Sequence, residues 1–212
     1  MNIPTLEQAQ AMLAEAEQLN PTPWVAHSRY VAESARLIAQ QVSQLDPQDA
    51  YILGLLHDIG RRGGPSHLKH VFDGYLYFSE RGFTDTAQIC LTHSFPTRDL
   101  RSYPGSHDIS EQDEAMLRQQ LAAAVYTPYD RLIMLCDALC LPSGWCLMEK
   151  RLLDVVRRYG FNELTLQKWE AYFAILAEFD AACGASIYRL LPGVAENTFG
   201  LPLECPGWPL ML

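Results

Sequence analysis

The sequence predicts an all-α fold, a bundle of packed helices, on three observations. Apolar residues recur at three- and four-residue intervals through most of the chain, the spacing that gives a helix one buried face. Gly and Pro punctuate these stretches as they do at helix ends. No run of alternating apolar and polar residues reads as a convincing strand. With 212 residues, 49% of them hydrophobic, the chain can bury a sizeable core and is not globally disordered.

Residues 6–19 form the first expected helix, with Thr5 and Gln8 as a capping box and Asn20-Pro21 as its stop. A second runs over residues 24–44. The third takes Asp46 as N-cap and Pro47 in its first turn, continues through YILGLLHD and stops at Gly60. After the break GGPS come helices over 67–81 and 85–93, then a loop over 97–109. Ser110 caps a helix to residue 124, and Thr127-Pro128-Tyr129-Asp130 opens one that reaches residue 141. Two more are expected over 145–159 and 164–183. Beyond Ser186 the composition turns to Pro, Gly and Leu, which sustain no helix yet are too apolar for a solvated tail. The expected organisation is one helical domain over residues 1–185, its core at 24–141, and a tail over 186–212 packed on that domain or on a partner subunit of a homodimer.

A formal net charge of −9 argues against a nucleic-acid-coating protein, which needs clustered Lys and Arg. A small anionic substrate in a locally positive pocket is compatible with it. No apolar run has the length to cross a bilayer, and the opening MNIPTLEQAQ has neither a basic head nor an apolar stretch, so a cytoplasmic protein with no membrane partner is expected. The six cysteines form no CxxC pair, which suggests neither a disulfide framework nor a zinc knuckle.

Chemistry concentrates in a few polar residues on apolar faces. His27 lies in line with Val31, Ala35, Ile38 and Val42 and therefore points inward; alone, such a histidine reads as a core residue with one hydrogen bond. His57-Asp58 ends the almost wholly apolar helix YILGLL, where an unpaired carboxylate would cost several kcal/mol. A divalent cation offsets that cost, and so does a buried His–Asp ion pair; the pair alone leaves both open. Asp137 repeats the anomaly inside LIMLCDALCL. Asp130, on the same face, is explained by the start of its helix, where the macrodipole favours a negative charge. His107-Asp108 is a second such dipeptide, but in a loop without an apolar frame, and reads as surface chance.

The order His27, then HDIG at residues 57–60, then Asp137 resembles the HD superfamily of metal-dependent phosphohydrolases, over roughly residues 24–141. The resemblance implies an HD-domain, phosphodiesterase-like bundle of helices around a metal centre. Some HD families add two histidines between HD and the last Asp, and His70 and His93 look like those. His70 is followed four residues later by Gly74, like the HxxxG of the two-metal HD-GYP phosphodiesterases; His67, one turn earlier, competes for the same role. The GYP sequence is absent and Ser94 stands where a second histidine would follow His93, which points away from a cyclic-dinucleotide enzyme. The whole set looks more like bacterial HD phosphatases acting on diadenosine tetraphosphate, and like di-iron HD oxygenases.

The resemblance implies one or two divalent ions, Fe or Mn favoured, with His27, His57 and Asp137 on one, His70 and His93 on the other, and Asp58 bridging. It implies hydrolysis of a nucleotide or other small phosphoester or phosphoanhydride by a metal-activated water. Arg61, at the position of a frequent family lysine, is expected to bind substrate phosphate beside Asp58; for Arg61 and Arg62 alike, the dipole of the preceding helix is an equal explanation. Arg98, Arg101 and Tyr103 are candidates for a lid in the long loop. The rival readings are a di-iron oxygenase and a non-catalytic metal- or nucleotide-binding module.

Overall fold

A computed structural model describes residues 1–200 of the chain; Cys205 and the rest of the expected tail beyond Gly200 lie outside the described residues. The described fold is helical: α1 Leu6–Leu19, α2 Trp24–Ala39, α3 Pro47–Leu56, α4 Lys69–Ser79, α5 Thr84–Thr92, α6 Glu111–Ala123, α7 Pro128–Asp137, α8 Met148–Tyr159, α9 Thr165–Cys183 and α10 Val194–Phe199. One short hairpin, β1 Cys140–Leu141 with β2 Gly144–Trp145, pairs Cys140 with Trp145 and Leu141 with Gly144.

The caps explain the starts. Thr5 and Gln8 bond reciprocally across the first turn of α1, Asp46 accepts from the backbone of Gln48 and Asp49 before Pro47, Ser110 caps α6, and Thr127 with Asp130 closes a second capping box on α7. The structure departs from expectation in several places, among them α3, which ends at Leu56 before a 3₁₀ turn over Ile59–Gly63. Helix α2 stops at Ala39 because the bonds from Gln41 to Ile38 and from Val42 to Ala39 tighten it into a turn. Helix α7 stops at Asp137, not at residue 141, since Cys140 and Leu141 enter the hairpin, turned by Pro142-Ser143 and by Gly144 at φ 136°; strands do exist here. The long loop contains a 3₁₀ turn at Leu100–Ser102. Residues 194–199 form a helix after all, between Gly193 and Gly200, both left-handed, and Lys150 Nζ caps its last carbonyls at Asn197 and Thr198.

Three apolar clusters fill the interior: α2, α3, α7 and α9 share one around Val31, Leu53, Leu135 and Ile175; α1 packs on α2, α3 and α5 through Leu13, Ala32 and Leu56; α4, α5 and α6 meet at Val71, Leu91 and Leu117. Glycines set how closely the helices approach. A Cβ on Gly54 would sit 2.7 Å from Ala32 Cα, so α3 lies directly against the backbone of α2. On Gly60 it would sit 2.0 Å from the carbonyl oxygen of His70 and 2.6 Å from the amide of Gly74. The HDIG turn and α4 therefore touch backbone to backbone, which fixes His70 relative to Asp58. Among the described residues no helix is long and apolar enough to cross a membrane.

Candidate metal centre

Five helices deliver six side chains to one region, each from a terminal turn or within two residues of one. His27 comes from the first turn of α2, His57 is the C-cap of α3 with Asp58 next to it, His70 opens α4, His93 is the C-cap of α5 and Asp137 is the last residue of α7. The C-terminal ends of α3, α5 and α7 carry partial negative charge, which favours a cation there. The four imidazoles and Asp58 are buried, and the Asp137 side chain is 16% exposed.

Two groups have ligand atoms close enough to hold an ion: His27, His57 and Asp58, and then Asp58, His70 and His93. Asp58 belongs to both. Its Oδ1 lies 3.1 Å from His70 Nε2 and 3.6 Å from His93 Nε2, while His57 Nε2 is 3.9 Å from Oδ2. Asp137 stands beside the first group, Oδ1 3.0 Å from His27 Nε2.

The tautomers follow from the backbone. His57 Nδ1 is 2.7 Å from the Gly54 carbonyl and His93 Nδ1 2.9 Å from that of Cys90, while His70 Nδ1 meets the His67 carbonyl. A carbonyl only accepts, so each Nδ1 carries the proton and each neutral Nε2 presents a bare lone pair to the centre. The Nε2 atoms of His70 and His93 are then two lone pairs 3.4 Å apart. His57 Nε2 and Asp58 Oδ1 are buried without a hydrogen-bond partner. Buried polar atoms are almost always paired, and a cation among these atoms supplies the missing partner. The residues present fit a divalent metal.

The charges agree with a cation site. Burial pushes the Asp58 carboxyl up, yet the Arg61 guanidinium beside it works against burial, and Asp58 is held well below the usual carboxylate range. Burial likewise opposes ionisation of Asp137, and its hydrogen bond to His27 and the charge of Arg151 override it. Burial lowers His27 and takes His93 down to about 3, so both stay neutral, as ligands must. Arg61 donates from Nε to Asp58 Oδ2 at 2.6 Å and sets a second guanidinium nitrogen 3.4 Å from His70 Nε2.

The centre lines a cavity of about 730 Å³. Arg61 and Tyr103 line it, but the other lid candidates do not: Arg98 stacks on Tyr126 and Arg101 pairs with Asp99. Arg62 turns away to Glu15 and Tyr77. His67 stays outside both groups; its Nδ1 accepts from the Ser106 amide and its carbonyl orients His70. Asp130 is satisfied by Thr127, Gln88 and Thr92, which locks α7 to α5 one residue before His93. Asp108 has a structural task, capping α4 by accepting from the His67 and Lys69 amides at 2.8 Å each. Sequence reasoning missed Arg151 and Lys168, which reach the cavity from α8 and α9. Charged residues on amphipathic helices carry no signal for that.

A model of the HD domain family matches residues 24–141, more than half of the chain. Neither curated proteins nor solved structures give a match. The matched span contains all six of the gathered side chains, from His27 to Asp137, and the chain belongs to the HD domain family.

Proposed function

We propose that the protein is a metal-dependent phosphohydrolase that cleaves a small phosphoester or phosphoanhydride, a nucleotide above all. The observation that carries the reading is the Asp58 carboxylate shared by two ligand groups, with His57 Nε2 and Asp58 Oδ1 buried and unpartnered. His27, His57 and Asp137 would hold one ion, His70 and His93 a second, and Asp58 both. When bound, such ions supply a water of lowered pKa as nucleophile and screen the charge building on the phosphoryl oxygens.

The chain's own groups do the rest. The Nδ1 hydrogen bonds of His57, His70 and His93 fix the three rings before anything binds. Arg61 holds Asp58 Oδ2, leaving Oδ1 toward His70 and His93. Arg61 also lines the cavity, and its guanidinium would bind a phosphoryl oxygen there. Trp24, Tyr103 and Tyr172 wall the cavity and limit the water around the reacting group.

The test is elemental analysis of the full chain purified without chelator. A hydrolysis panel of mononucleotides, dinucleoside polyphosphates and cyclic nucleotides follows, with Mn, Fe, Co and Mg. Bound metal with turnover is the expected result. A mixed-valence iron signal with oxygen uptake would replace the reading by an oxygenase, and tight binding without turnover by a regulatory module.

A further inference from the structure

Helices α8 and α9 lie beyond the span that matches the family, and both send cations into the cavity: Arg158 of α8 is paired with Asp154 at 2.9 Å, whereas Arg151 of α8 and Lys168 of α9 have no such close carboxylate. Arg151 of α8 has a side chain 17% exposed and only long contacts, 3.5 Å to Asp137 Oδ1 and 3.6 Å to Asp154 Oδ2. Its Nε is buried with no partner. Lys168 of α9 donates to the Ser102 carbonyl at 3.2 Å and has no carboxylate within ion-pair distance among the described residues. Burial brings its pKa to about 8, which leaves it charged at neutral pH. Arg61, by contrast, is committed to Asp58 at 2.6 Å.

Partly buried cations without close counter-charges are costly unless something negative completes them. A divalent ion on Asp137 would take up the carboxylate that Arg151 leans on and leave both cations short of negative charge. Arg61 flanks the Asp58 end of the ligand set and Arg151 the Asp137 end, so they address different parts of a bound molecule. The cavity's volume of about 730 Å³ accommodates a nucleotide-sized ligand.

We propose that Arg151 and Lys168 form a subsite for a second anionic group of the substrate, so that the preferred substrates carry at least two phosphoryl groups. The inference rests on the phosphohydrolase reading and narrows it. The test is calorimetric titration of the manganese-loaded full chain at pH 7 with inorganic pyrophosphate and, separately, inorganic phosphate. Wild type is expected to prefer pyrophosphate by about tenfold or more. Arg151→Gln and Lys168→Met should each remove most of that preference while phosphate binding and metal content hold, and Arg151→Lys should restore part of it. A wild type without the preference, a preference that survives both substitutions, or an equal loss for both anions would overturn the subsite. Metal analysis of the same samples separates the two claims: metal-free wild type sinks the hydrolase reading, whereas metal-replete protein indifferent to pyrophosphate sinks the subsite alone. Should Arg151→Gln fail to fold by circular dichroism, Lys168→Met decides, since it keeps most of the buried stem.

Discussion

His57 and His93 each do two jobs with one ring. Nδ1–H donates to a carbonyl three residues back, satisfying an acceptor that the end of its own helix leaves open, and the same bond aims Nε2 at the centre. Asp58 is the residue on which the two ligand groups meet. Asp58→Ala should therefore abolish both metal retention and hydrolysis, and undiminished metal in the purified variant would remove Asp58 from the ligand set. Asp108 offers a test of a different kind. Burial opposes its ionisation, but the amides of His67 and Lys69 lower its pKa below 3.8. A depressed carboxylate stabilises the fold above the unfolded value and loses that contribution as pH falls through the folded one. Asp108→Ala should thus cost about 1 kcal/mol at pH 7, as the loss of an N-cap does, and the gap from wild type in thermal melts should close below about pH 3.8. At this scale the inward direction of His27, His57 and Asp137 was legible because apolar periodicity gives direction. The cap made by Asp108 was not, because it acts on a helix some forty positions away in the chain.

Between elements, the decisive contact is backbone against backbone. Gly60 was read as a helix stop, yet α3 has already ended at Leu56 and the turn through Gly60 is a 3₁₀ segment. What requires glycine is the approach of α4, where any Cβ would enter the His70 carbonyl. Gly74, noted as part of a motif, supplies the other side of the same contact. Gly60→Ala should destabilise the protein by roughly 2–3 kcal/mol and, by pushing α4 outward, lower metal content beyond what the lost stability explains; equilibrium denaturation with metal analysis checks both. The starts of α1, α3, α6 and α7 were legible, since caps and first-turn prolines are local chemistry. Their ends were less so: α7 gives way to a hairpin whose apolar residues, Cys140 and Leu141, look like one more helical turn. That hairpin returns the chain so that α8 brings Arg151 against Asp137, a juxtaposition with no local signature.

For the molecule as a whole, a net charge of −9 coexists with a cavity that gathers Arg61, Arg151, Arg158 and Lys168 around its carboxylates. Bulk charge excluded a nucleic-acid coat but says nothing of such local inversion, because it averages over the surface. Ions that bind the native state alone also raise its stability. At a hundredfold excess over Kd the gain is about 2.7 kcal/mol, so chelation should lower Tm by roughly 5–10 °C in a chain of this size, with recovery on adding metal back. An unchanged Tm would count against a native-state ion.

All six gathered side chains sit in, or within two residues of, the terminal turns of helices, where helices fray most readily. An ion joining them would rivet several loose ends at once. Amide hydrogen exchange in the last turns of α3, α5 and α7 should therefore quicken when the protein is stripped, while the middle of α1, which contributes nothing to the rivet, keeps its pace.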